Sequence, residues 1–121
     1  KYLERSETPF MYMPIMTKAE DLETVRKYKV NTVGYELLFQ TEDHLFLDPA
    51  FQAELTKDGS FLWVNAITLG NAILCAGHDD DGAVTDDPAS NWGWLMDHGF
   101  NVIQTDWPMF LHEFLCKHRS A

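Results

Sequence analysis

Four side chains with chemical potential stand in or just beyond apolar runs, where burial makes a polar group costly. Glu36 lies within Thr32–Phe39, Trp63 and Asn65 lie within Phe61–Ile67, and Asp106 follows Phe100–Thr105. A carboxylate in so apolar a run is retained only if it is paired or bound, so Glu36 either meets a ligand or pairs with a neighbouring strand. Trp63 and Asn65 alternate with Leu62, Val64 and Ala66 and therefore share one face of a strand. Together they offer a flat apolar platform beside a hydrogen-bonding amide. Asp106, with Pro108 after it, fits the start of a capped helix, and that local role competes with direct contact to a substrate.

The remaining candidates are weaker. His78, Asp79, Asp80, Asp81, Asp86 and Asp87 crowd a short segment, but the ligand spacing of a calcium loop is not met, and the segment reads as a solvated acidic loop. His44, His98, His112 and His118 fall at loops or helix ends with no i, i+4 partner and no adjacent cysteine, and read as surface residues. Cys75 and Cys116 have neither the number nor the spacing of a disulfide framework or a zinc site. They read as reduced, buried thiols, with no catalytic triad around either.

The elements that must position these groups follow from periodicity and punctuation. Phe10–Ile15 is an apolar run read as a buried strand, and Thr17–Glu20 fits a capping box opening a helix over 18–29 with Leu22 and Val25 inward. Thr32–Phe39 is the second strand, and Asp48-Pro49 opens a short helix that ends near Gly59. Phe61–Ile67 is the third strand, followed by a helical piece at 69–76 that Gly77 closes. Pro88 starts a helix bearing Trp92, Leu95 and Met96, which Gly99 stops. Phe100–Thr105 is the fourth strand. A last helix at 107–118 sets Phe110, Leu111, Phe114 and Leu115 on one buried stripe. Strands alternating with helices and lacking hairpin turns mean a parallel sheet in an α/β fold, and near-continuous apolar strands predict burial on both faces.

Composition bounds the function. The chain has 121 residues, 45% of them hydrophobic, with 19 acids against 9 Lys plus Arg and a net charge of −10. That is enough apolar material for one core. The acidic balance, with no basic run, argues against nucleic acid and anionic lipid as partners. No apolar stretch reaches the roughly 18 residues of a transmembrane helix. Lys1–Arg5 resembles the closing turns of a helix, so the chain is expected to begin in mid-protein, and the compartment stays open.

Three segments together carry a family resemblance: Gly34-Tyr35-Glu36-Leu37, Leu62-Trp63-Val64-Asn65, and Asn91-Trp92-Gly93-Trp94 running through Gly99 to Ile103-Gln104-Thr105-Asp106-Trp107-Pro108. Their order and content resemble the C-terminal half of bacterial glycerophosphodiester phosphodiesterases, which are TIM barrels, over about Phe10 to Leu115. The resemblance implies that residues 1–121 form a single partial domain. That domain is the C-terminal (β/α)4 half of such a barrel, its four strands being the fifth to eighth.

The resemblance further implies a divalent-metal hydrolase, using Mg or Ca, that cleaves glycerophosphodiesters to glycerol phosphate and an alcohol. In the family the general acid, the general base and the metal ligands lie in the first four strands, and none of those motifs has a counterpart in this sequence. The chain alone is therefore expected to be inactive, with no catalytic residue and no metal ligand of its own. Glu36, Trp63 and Asn65 are the expected substrate-pocket residues: Glu36 toward the glycerol hydroxyls, Trp63 as a platform for the leaving group, Asn65 as a hydrogen-bonding neighbour. The competing assignments are strand pairing for Glu36 and barrel filling for Trp63. Four parallel strands leave two open edges, so two copies are expected to associate through them. A reading of another class is a non-catalytic binding module derived from the same half barrel.

Overall fold

A computed structural model describes residues 3–120. Its order is β1 (Ile15–Met16), α1 (Asp21–Arg26), β2 (Gly34–Leu37), α2 (Pro49–Thr56), β3 (Phe61–Asn65), α3 (Asp80–Thr85), a π-helical turn (Ala89–Gly93), α4 (Trp94–Asp97), β4 (Val102–Gln104) and α5 (Pro108–Ser120). The four strands form one sheet in the order β1-β2-β3-β4, parallel throughout. The α/β class with a parallel sheet is as the alternation of apolar runs predicts.

Register sorts the side chains into two faces. Met16, Leu37, Val64 and Ile103 lie in one row across the sheet; Ile15, Glu36, Trp63 and Val102 lie in the adjacent row, pointing the other way. The first row belongs to the core, which also takes Leu22 from α1, Leu55 from α2, Ala83 from α3, Leu95 from α4 and Leu111 from α5. All five helices thus pack on one face. The second row has no helical layer among the described residues: Ile15 is 60% exposed and Glu36, Trp63 and Val102 are half-buried. Burial on both faces, expected from the apolar strands, is corrected to burial on one.

Several local expectations change for identifiable reasons. Pro14 has no N–H to give a ladder, so the first run pairs only at Ile15–Met16 and through a bridge from Tyr12 to Thr32, and Met11 is 77% exposed. The Thr17 hydroxyl does not cap α1. Instead the Asp21 carboxylate reaches back to accept from the N–H groups of Thr17 at 2.8 Å and Lys18 at 3.1 Å. Those bonds, the Thr17 one foremost, hold its pKa below the usual carboxylate value. Asp48 does cap α2, accepting from the Ala50 N–H at 3.0 Å.

The segment at 69–76 is not helical. Phe39 N–H donates to Leu74 O and Ala76 N–H donates to Phe39 O, so the segment pairs with the chain just past β2 and keeps only the turn bond from Ala72 N–H to Leu69 O within itself. The supposed acidic loop holds α3, with Asp79 as its cap, accepting from the Gly82 N–H at 3.0 Å. On α5, Leu111 is buried and Phe114 and Leu115 are partly so, whereas Phe110 is 53% exposed against Trp107. Phe110 sits about 100° round the helix from Leu111, at the margin of the stripe. The closing helical turn expected at Lys1–Arg5 is a 3-10 turn at Leu3–Arg5; Lys1 and Tyr2 lie outside the described residues. No helix among the described residues is long and apolar enough to cross a membrane.

Candidate functional site

The three residues singled out from the sequence come together. Glu36 and Trp63 are lateral partners across β2 and β3, and Asn65 lies two residues further along β3 on the same face. Trp63 Nε1–H donates to Asn65 Oδ1 at 2.7 Å, and Asn65 Nδ2 donates to Glu36 Oε1 at 2.6 Å. Asn65 is 6% exposed, and this chain of bonds orients its amide: oxygen toward the indole, nitrogen toward the carboxylate. Strand pairing and an outward-looking position are both realised, since Glu36 pairs with β3 through Asn65 yet stays on the uncovered face. The indole face and the second carboxylate oxygen are the surfaces this arrangement can turn toward a polar ligand.

Gly34 begins the same face. A Cβ there would overlap the ring of Phe61, its lateral partner on β3. Glycine therefore lets the ring lie flat over β2, below the Glu36–Trp63 row.

Asp106 does not cap α5. Its own N–H donates to Asp80 Oδ2 at 2.8 Å, and the Thr105 hydroxyl accepts from the Trp107 N–H at 2.9 Å. Asp80, assigned from sequence to a solvated loop, is 1% exposed and takes two further bonds on Oδ1, from Trp92 Nε1 at 2.9 Å and Thr105 Oγ1 at 2.8 Å. Its N–H donates to Ala66 O, at the end of β3. Asp80 thus ties the loops leaving β3 and β4 to the buried Trp92. The clue in the sequence was the pairing of a buried Trp and a Thr-Asp step, each short of an acceptor, with an Asp at the first position of a capped helix.

His78 is likewise no solvated loop residue. Its ring stacks on Trp94 at 3.8 Å between centroids, with His98 on the other side of the indole at 3.9 Å. Its Nδ1 lies 2.7 Å from Ser90 O and its Nε2 2.6 Å from Glu42 Oε1. With both nitrogens engaged, the ring ties the loop that holds Glu42 to the π-helical turn and to α4. Cys75 is buried as expected, and burial, aided by Asp79 and Asp80, pushes its thiol up to about 12. Cys116 is exposed, correcting the expectation of burial, and its sulfur lies 3.7 Å from His112 Nε2. The histidine and the cysteine are four residues apart on α5, one helical turn, which corrects the expectation that His112 has no i, i+4 partner.

A family model described as a domain of unknown function, DUF4996, matches residues 10–115. The chain belongs to this family. No curated protein matches it. In this DUF4996 chain the matched span contains all four strands, the Glu36–Asn65–Trp63 series and Asp80, and it ends one residue before Cys116.

The divalent cation implied by the phosphodiesterase resemblance does not fit these residues. Glu36 bonds to Asn65, and among the described residues no three His, Cys, Asp or Glu side chains converge in a way that could hold a metal ion.

Proposed function

We propose that this chain is the C-terminal (β/α)4 half of a TIM barrel of the glycerophosphodiester phosphodiesterase type, and that Glu36, Asn65 and Trp63 form one wall of its substrate pocket. The observation that carries the reading is the hydrogen-bonded series Trp63–Asn65–Glu36 on the uncovered face of the sheet. Two features support it. Sequential strand order with every helix on one face suits a barrel wall, whereas open doubly wound sheets place helices on both faces. Asn65 ends β3 and Glu36 is the last residue but one of β2, so both lie toward the carboxyl ends of their strands, where such folds bind ligands, with Trp63 at the centre of β3.

In this reading the Trp63 ring supports the carbon chain of the alcohol and the Glu36 carboxylate accepts from hydroxyl groups of the glycerol. Asn65 acts through both, fixing their positions. The acid, base and metal chemistry belongs to parts of the parent enzyme beyond this chain, and no step is assigned to its residues. Association of two copies follows the same logic. A cleft of about 550 Å³ runs along the outer side of β4, lined by Val102, Ile103, Leu111, Leu115 and Arg119, and an added strand would fill it.

The test uses the full reading frame and the 121-residue chain side by side with glycerophosphocholine and Mg²⁺ or Ca²⁺. The full protein turns over, and Trp63→Ala and Glu36→Ala raise KM at least tenfold; the short chain gives no turnover above a metal-free blank. Turnover by the short chain overturns the half-barrel reading, and wild-type kinetics in both variants rejects the pocket assignment. A gene that encodes only these residues favours the non-catalytic module instead.

A further inference from the structure

We propose that α5 carries a two-ligand site for a zinc-class divalent cation, formed by His112 Nε2 and Cys116 Sγ. The two residues are one turn apart on a 13-residue helix and point to the same side. Both are exposed, and their ligand atoms lie 3.7 Å apart. Zinc binds thiolate at about 2.3 Å and imidazole at about 2.0–2.1 Å, and a tetrahedral angle between those bonds separates the two atoms by about 3.6 Å. The pair therefore already stands at chelating distance. The observed separation is within about a tenth of an ångström of that value, and water completes the tetrahedron around a bound ion.

The helix supplies the preorganisation. Leu111, Phe114 and Leu115 fix α5 against the core, so the backbone holding the two ligands is ordered before the metal arrives. One residue further round the helix, Lys117 donates to Glu113 Oε1 at 2.8 Å, which occupies the nearest carboxylate on the helix. A thiol–imidazole hydrogen bond alone is weak, and the nitrogen–sulfur donor set suits zinc, while Mg²⁺ and Ca²⁺ take oxygen ligands. On binding, Cys116 gives its thiol proton to solvent and becomes the thiolate ligand, while His112 binds as the neutral imidazole. One proton is released per ion and no electron moves. The site is independent of the pocket on the sheet, which lies on the far side of the helical layer.

The test is titration of the 121-residue chain, kept reduced with a phosphine, with Zn²⁺ by calorimetry and with Co²⁺ by near-ultraviolet absorption. The expected result is one ion per chain and a thiolate-to-cobalt charge-transfer band. His112→Ala and Cys116→Ser each weaken binding at least tenfold, Cys116→Ser abolishes the band, and far-ultraviolet circular dichroism stays at the wild-type level because both side chains are exposed. His118→Ala binds as wild type, and Mg²⁺ and Ca²⁺ give no heat. Wild-type affinity in either ligand variant, equal binding by the urea-unfolded chain, or no binding at millimolar Zn²⁺ overturns the proposal.

Discussion

Asp80 Oδ1 accepts the indole N–H of Trp92 at 2.9 Å inside the protein, and this one carboxylate also holds Thr105 and the Asp106 N–H. Removing it leaves the buried Trp92 indole N–H and two part-buried donors, the Thr105 hydroxyl and the Asp106 N–H, without this acceptor, and a buried donor left unpaired costs about 1–3 kcal/mol before relaxation. Asp80→Ala is expected to lose about 3–5 kcal/mol of stability. Asp80→Asn loses roughly half as much, since its oxygen still serves Trp92 and Thr105. Urea midpoints followed by near-ultraviolet circular dichroism measure both; a loss below about 1 kcal/mol in the alanine variant contradicts the assignment.

Gly34 and Phe61 make a second testable pair, because the ring occupies the space of a Gly34 Cβ. Gly34→Ala is expected to cost about 1–3 kcal/mol through displacement of the ring. In a Phe61→Ala background the same change costs less, and the double-mutant cycle gives a coupling of about 0.5–3 kcal/mol. Strict additivity would show that the ring does not rest on the glycine.

Cys75 gives a signed dependence on pH. Burial raises its thiol from the ordinary value of 9.0 to about 12. The unfolded chain thus releases this proton first, the native state binds more protons between those values, and stability falls as pH rises through that window. The slope approaches about 1.4 kcal/mol per pH unit, and below the ordinary value the contribution is flat. Cys75→Ala is expected to remove that part of the alkaline decline in urea midpoints measured from pH 8 to 10.5. In native protein at pH 8 a thiol reagent should label Cys116 alone, and in urea both cysteines.

For the Trp63–Asn65–Glu36 series, Glu36→Gln keeps a carbonyl to accept from Asn65 and is expected to change stability by less than about 0.5 kcal/mol. Glu36→Ala costs about 1 kcal/mol, and a cycle with Asn65→Ala recovers the shared bond as coupling. Equal effects of Gln and Ala at position 36 would mean that the bond contributes nothing in solution.

Much of this was legible in the sequence because it depends on neighbours along the chain. The Asp48-Pro49 helix start, the parallel α/β class and the shared face of Trp63 and Asn65 follow from capping chemistry and period-two alternation. Local expectation fails where distant segments supply the partner. Residues 69–76 gave up helical bonds to pair with Phe39, and the acidic run became a capped helix because Trp92, Thr105 and Asp106 surround Asp80.

By itself, then, the sequence determined which residues alternate, where helices start and that Glu36, Trp63 and Asn65 stand out. Only the tertiary structure decided that Asn65 bridges the other two, that one face of the sheet stays uncovered, and that Asp80 is an internal tie. Periodicity reports which side of a strand a residue takes. Which group from thirty residues away lies within 3 Å of it depends on the register of strands and the path of loops, and those are set by packing the whole chain at once.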